Sequence, residues 1–179
     1  MKEKIIAKAY AKAIFELGTS NNVNVADELT KLTEVINMSN DLENVLFLDV
    51  FTVEEKLLVL NDIVAKLALS PIVISSMKYL IGETRLGLLP LIFKEIIVID
   101  DHNKGFMRGT IEGSADSVDE VMMTKIKSYL QDKLGLNPEL DYKKNEAISA
   151  GVRITVEDYQ IDASIDKQLK EFKESIINN

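Results

Sequence analysis

The strongest constraint on the fold is a change of hydrophobic period near residue 100. Before it, apolar residues recur at helical spacing, as in Leu29, Leu32, Val35 and Ile36. After the polar run Asp100-Asp101-His102-Asn103-Lys104-Gly105 the spacing drops to two. Val152, Ile154 and Val156 point one way and Arg153 and Thr155 the other, the pattern of a half-buried strand. The chain therefore reads as mainly α in two domains. Residues 1–105 form a helical bundle and 106–179 a small α/β C-terminal domain, joined near residues 100–105.

Local signals place the elements. A first helix over Glu3 to Leu17 is closed by Gly18 and the polar run after it, and a second covers Val25 to Met38. Asp41 caps a short helix carrying Leu42, Val45, Leu46 and Leu48. Thr52 with Glu55 is a capping-box pattern opening a helix through Leu69. Ser70-Pro71 opens the next, since proline fits a first turn, and it runs to about Gly82. Another helix spans Gly87 to Ile99, bending or starting near Pro90. Short connections between helices favour a compact bundle. A strand follows over Met107 to Ser114, then a helix from Val118 to Leu134 with Ser117 as cap and Gly135 past its end. Leu140 and Tyr142 mark a short strand, Glu157-Asp158 a hairpin turn, and Ser164 the start of a last helix.

Composition sets the remaining bounds. At 179 residues, with 46% hydrophobic and 28% charged residues, the chain has an ordinary globular balance and needs no disulfide or metal staple. Zero cysteines exclude thiolate chemistry and fit a reducing compartment. A net charge of −8 repels nucleic-acid phosphates and anionic headgroups alike. No signal peptide is expected from the opening residues, whose lysines are spread through a helix with no apolar run or cleavage site behind them. The most apolar stretch of the chain, Leu86 to Ile99, is broken by Pro90, Lys94 and Glu95 and falls short of the ~20 residues a span requires. The expectation is a soluble protein that reaches a membrane only through another protein.

Catalytic constellations are missing from the sequence. His102 is the sole histidine, so no histidine-based triad or multi-histidine metal site exists. The glycines fit no phosphate-cradling motif. Glu54-Glu55, Asp100-Asp101 and Asp119-Glu120 lie at helix starts or in the linker, where the helix dipole accounts for them. Isolated arginines such as Arg85 and Arg153 read as surface or ion-pair residues. No cofactor, metal or catalytic residue is expected, and a carboxylate enzyme would need acidic groups where this chain places Leu, Ile, Val and Ala.

Binding capacity is easier to find. In the first helix, Ile6, Ala9, Tyr10, Ala13 and Leu17 share a broad face suited to burial, while Ala7, Ala11, Ile14 and Phe15 form a second apolar strip. Such a helix either sits at a bundle centre or offers one face to a partner helix. The helix from Pro71 is similar: Val73, Met77 and Leu80 make one strip, Ile74 and Ile81 edge another. In the last helix Ile165, Leu169, Phe172 and Ile176 form a heptad-type stripe that suits packing on the domain's own sheet or on a flat partner.

Three blocks carry a resemblance. Ala7-Lys8-Ala9-Tyr10-Ala11-Lys12-Ala13-Ile14-Phe15 resembles the opening helix of ATP synthase delta subunits, relatives of the mitochondrial oligomycin-sensitivity-conferring protein. Glu83-Thr84-Arg85-Leu86 with Leu89-Pro90 resembles the mid-chain pattern of that family. Ala150-Gly151-Val152-Arg153-Ile154-Thr155-Val156 with Ile161-Asp162-Ala163-Ser164 resembles its closing signature. Lys8 stands where the family usually has Arg, and Ala163 where it has Gly; Asp166-Lys167-Gln168 replaces an Arg-rich helix start. Ala163 lacks easy access to positive φ, so a slightly different turn is expected there.

The resemblance implies an N-terminal six-helix bundle, a smaller C-terminal domain and a non-catalytic stator role in proton-driven ATP synthesis. It further implies a monomer within a hetero-oligomeric complex, peripheral on the cytoplasmic face of the cell membrane. The N-terminal helix of an alpha subunit would lie between the first and fifth helices, and peripheral-stalk b subunits would meet the C-terminal domain. On this basis Ala7, Ala11, Ile14, Phe15, Ile74, Met77 and Ile81 are the expected groove residues, and Ile165, Leu169 and Phe172 the expected stalk-facing ones. An aspartate at Ala11 is then expected to weaken helix binding and leave the bundle folded. The alternative role is a helical-bundle adaptor of another complex.

Overall fold

The computed structural model describes residues 2–169 and 173. The chain divides into two compact units, Met1–Asp100 and Asp101–Asn179. The first is helical and the second holds a four-stranded sheet, so the protein is helix-rich with a C-terminal α/β part.

In the first unit α1 spans Lys2–Ser20, α2 Val25–Asn37, α3 Asn40–Phe47, α4 Val53–Leu67 and α5 Pro71–Gly82. A 3-10 turn at Leu86–Leu88 leads into α6, Leu89–Asn103. The starts follow local chemistry. Thr52 and Glu55 form the capping box: Glu55 N donates to Thr52 Oγ1 at 3.3 Å, and Thr52 N donates to Glu55 Oε2 at 2.8 Å. Ser70 caps α5 ahead of Pro71. The cap of α3 is Ser39, whose Oγ accepts from Leu42 N, rather than Asp41. Leu29, Leu32, Met77, Leu80, Ile92 and Ile96 form the centre of the core, each at most 1% exposed.

Two helix ends differ most from the sequence expectation, while α4 stops at Leu67 rather than Leu69. Gly18 does not stop α1, which continues to Ser20. A Cβ on Gly18 would lie 2.2 Å from Val25 Cγ2, so glycine is there because the first turn of α2 presses on it. Nor do the acidic residues at 100–101 lie in a linker, because α6 runs on through Asn103. A carboxylate near a helix C-terminus opposes the dipole. Asp101 is offset by Arg108, which donates to it twice, from Nε at 2.7 Å and Nη2 at 3.1 Å.

In the second unit β1 is Phe106–Gly113, α7 Glu120–Leu134, β2 Asn137–Lys144, β3 Val152–Val156 and β4 Tyr159–Asp162. The sheet order is β2-β1-β3-β4. The β1–β2 pair is parallel, with α7 as its crossover, and the other pairs are antiparallel. Registers Gly109↔Val156 and Ile111↔Ile154 put Met107, Gly109, Ile111, Ile154 and Val156 on one face. There Met107, Ile111, Ile154 and Val156 join Leu130 of α7 in a second core. Gly109 admits no side chain, since a Cβ would come within 2.6 Å of Val156 Cγ2. The α7 cap is Asp119 rather than Ser117, and Gly135 closes the helix at φ +79°. A last helix is described over 165–169.

The turn at Ala163 keeps an ordinary negative φ; Gly151 takes the left-handed role instead, at φ +90°. A Cβ on Gly151 would meet Ala163 O at 2.4 Å. Asp162 then organises the helix start. Its Oδ1 accepts from Ser164 Oγ at 2.6 Å and Ser164 N at 3.1 Å, and Arg153 Nε donates to its Oδ2 at 3.1 Å. The Ser164 hydroxyl, and after it the Ser164 amide and Arg153, hold the Asp162 carboxyl below the usual carboxylate range. Ser149 does the same for Asp166, through its amide and hydroxyl.

Candidate partner-binding groove

The two apolar strips of α1 compete for the core, and the narrower one wins it. Ala7 and Ala11 are 0% exposed and Ile14 is 5% exposed, in line with buried Gly18. Small side chains let α1 approach its neighbours closely, so this strip packs inward. Met77 and Ile81 of α5 are likewise buried in the core, with Phe15 and Ile74 half-buried against it. The residues expected from sequence as a groove thus lie mostly in the interior, and of them only Ile14 also lines the open cavity between α1 and α5 described next. With Ala11 enclosed, an aspartate there would break the bundle rather than spare it.

The strip expected to be buried is the open one. Ile6, Ala9, Ala13 and Leu17 are exposed and Tyr10 is half-buried. Beside them α5 presents Pro71, Ile72, Ser75, Ser76 and Tyr79. Together with Tyr10, Ala13, Leu17, Ile14 and Leu80 they line an open cavity of about 560 Å³ between α1 and α5. Leu17 is 54% and Tyr79 56% exposed, so two large apolar side chains face solvent across one trough. The polar side-chain groups of its lining are hydroxyls alone, those of Ser75, Ser76, Tyr10 and Tyr79, and Ser76 Oγ donates to Ile72 O at 2.8 Å.

One end of the trough is aromatic and basic. The Tyr10 and Tyr79 rings lie 6.3 Å apart at 54°. Arg85 Nη1 donates to the Tyr10 hydroxyl oxygen at 2.6 Å. That bond leads the influences holding the guanidinium above its ordinary pKa, so Arg85 is charged at every accessible pH. No signal in the α5 sequence named Ile72, Ser76 or Tyr79. Two adjacent serines on an otherwise apolar helix were the available clue, because a fully enclosed helix has little use for them.

The stalk-facing candidates lie in the second unit. Ile165 is 46% and Leu169 60% exposed, so neither packs fully on its own sheet; Phe172 is outside the described residues. Ser164 Oγ accepts from Lys167 N at 3.3 Å and starts this helix.

An apolar trough between two helices, with an exposed stripe in a separate unit, defines a protein-binding module. Among the described residues no His, Asp and Glu side chains gather as a metal-binding group, and no helix is long and apolar enough to cross a membrane. Residues 6–176 match the family model described as ATP synthase delta (OSCP) subunit, and the chain belongs to that family. Its members are structural stator subunits of ATP synthases and not catalytic ones. The ATP synthase subunit delta of Maridesulfovibrio salexigens is 29% identical, covering 98% of both chains. That of Citrifermentans bemidjiense is 29% identical over 94% of each. A chain of the Toxoplasma gondii mitochondrial ATP synthase hexamer shares the fold at TM-score 0.69 and 16% identity, over 96% of this chain and 97% of its own.

Proposed function

We propose that this subunit is a two-ended connector in the stator of a rotary F-type ATP synthase. The helical unit, a six-helix bundle in this reading, holds the N-terminal helix of an alpha subunit in the α1–α5 trough. The second unit meets the peripheral-stalk b subunits, through Ile165 and Leu169 and, by the sequence pattern, Phe172. The complex works in proton-driven ATP synthesis on the cytoplasmic face of the cell membrane.

The observation that carries this reading is the trough itself: an apolar channel bounded by two helices matches an amphipathic helix laid between them. Covering half-exposed Leu17 and Tyr79 contributes about 1 kcal/mol apiece, before Ile6, Ala13 and Ile72 are added. The rotor exerts torque on the catalytic head, so a stator connector needs affinity at two sites and no catalytic group. Joining the two contacts in one chain raises the effective concentration of each.

The test is calorimetric titration of the full chain with a peptide of the alpha-subunit N-terminus from the same organism. A pull-down from native membranes, with subunits identified, accompanies it. Binding in the micromolar range or tighter, with alpha and b subunits recovered, is the expected result. No peptide binding by the folded chain would overturn the assignment.

A further inference from the structure

Among the described residues, Arg85 is the one arginine without an ion pair to a carboxylate. The sequence has three arginines. Arg108 pairs with Asp101, and Arg153 with Asp162 and Glu112. Among the described residues, the side-chain hydrogen bond of Arg85 goes to a neutral hydroxyl, that of Tyr10. The remaining N–H groups of its exposed guanidinium are therefore open to an external acceptor.

The backbone fixes where this charge sits. Helix α5 ends in a Schellman arrangement: Arg85 N donates to Leu80 O at 2.8 Å and Thr84 N to Ile81 O at 3.0 Å. The residue between helix and arginine, Thr84, takes φ +54°, a conformation usually left to glycine. The chain thus tolerates left-handed strain to turn Arg85 back toward α1. There the guanidinium carbon lies 6.0 Å from the Tyr10 ring centroid, and its Nη1 is held by the hydroxyl. An arginine held by a ring and a neutral oxygen is oriented without a paired carboxylate; Glu83 acts on it only through space, more weakly than Tyr10. Glu3 and Asp49 line the adjoining cavity with Arg85, yet neither bonds it.

We propose that Arg85 is a specificity-determining anchor for a carboxylate side chain on the helix that occupies the trough. The partner is an amphipathic helix whose apolar stripe covers Ala13, Leu17, Ile72 and Ser76 and which carries Glu or Asp where the stripe meets Tyr10 and Tyr79. The guanidinium fork takes the carboxylate in paired hydrogen bonds, which fixes the register and direction of the incoming helix. Tyr10 is a positioning residue: its hydroxyl aims the fork, and its ring packs on the apolar stripe. The inference rests on helix docking in the α1–α5 trough. Neutralising the α5 dipole would also place an arginine here, but that role involves no partner carboxylate.

The experiment is a double-mutant cycle on the full chain, read by calorimetry. The probes are the alpha-subunit N-terminal peptide and variants with each acidic residue in turn changed to its amide. The protein variants are Arg85→Gln, Arg85→Lys and Tyr10→Phe, with unchanged melting midpoints as the folding control. One acid-to-amide change should weaken binding to the native chain roughly tenfold. The same change should leave binding to Arg85→Gln unaltered, with Arg85→Lys and Tyr10→Phe intermediate. The difference should also shrink as salt rises. Binding that responds to no acid-to-amide change, or equally in native and Arg85→Gln chains, overturns the anchor while the trough assignment stands. No binding by the native chain overturns both.

Discussion

Two alanines two positions apart on α1 separate the core from the proposed docking surface. Ala11 is 0% exposed among the core residues, and Ala13 is exposed on the trough. In Ala11→Asp the added carboxylate has no partner and no water. Leaving one charge uncompensated costs about 3–5 kcal/mol, with about 1–3 more for overpacking. A unit of this size is stable by about 5–15 kcal/mol in total. At roughly 4–8 °C per kcal/mol the melting midpoint should fall by ~20 °C or more, and the variant is expected to be largely unfolded at working temperature. In Ala13→Asp the carboxylate stays hydrated in the free chain, and the loss is about 0.5 kcal/mol of helix propensity. Bound partner would strip that water, costing ~2 kcal/mol or a ~30-fold weaker complex. Thermal melting followed by circular dichroism reads the first effect, and calorimetry with the alpha N-terminal peptide reads the second. A native midpoint for Ala11→Asp, or undiminished binding by Ala13→Asp, would refute the assignment of faces.

Two further tests address local structure. Ala68 closes α4 at φ 48° and ψ 47°, so Ala68→Gly should raise stability by about 0.5–1 kcal/mol in urea unfolding. Asp162→Asn keeps the shape of the turn before the last helix but removes the charge bound by Ser164 and Arg153, and should cost about 1–2 kcal/mol at neutral pH. Because the folded carboxyl titrates below the unfolded one, its stabilisation is complete above the unfolded value near ~4 and is lost as pH falls through the folded value. The gap between native and variant chains should therefore close in acid, and a gap constant down to about pH 2 would contradict the mechanism.

What could be read from the sequence was what neighbouring residues decide among themselves. Thr52 with Glu55, Ser70 with Pro71, and Gly135 after Leu134 each act within one turn of a helix, and the structure places each as read. The alternation through Val152, Ile154 and Val156 is equally local. The inward face of α1 is not. Both strips are apolar and the broader one read as the buried face, yet the outcome turned on which strip was small enough to approach other helices. Gly18 shows the same limit: its residue type signalled a helix end, yet its role comes from Val25, seven residues on. The extension of α6 through acidic residues depended on Arg108, which no pattern within the helix reveals. The lining of the trough lay beyond the residue pattern for this reason, although the family resemblance pointed to the first and fifth helices. It is a relation between α1 and α5, and each helix alone looks like core.

Among the described residues, the order β2-β1-β3-β4 leaves two strands, β2 and β4, each with one neighbour. Outer strands of this kind are templates for unwanted strand addition, a hazard wherever copies crowd together during assembly. The sequence blunts both. Pro138 removes one amide donor from β2 and Lys143-Lys144 charge its end, while β4 has only the four residues Tyr159–Asp162. The second unit can therefore expose Ile165 and Leu169, the residues proposed to meet the stalk, and still resist polymerising through its sheet. On the proposed reading, partner capture falls to the helix and the risk of self-association to the sheet edges, so strengthening one need not provoke the other.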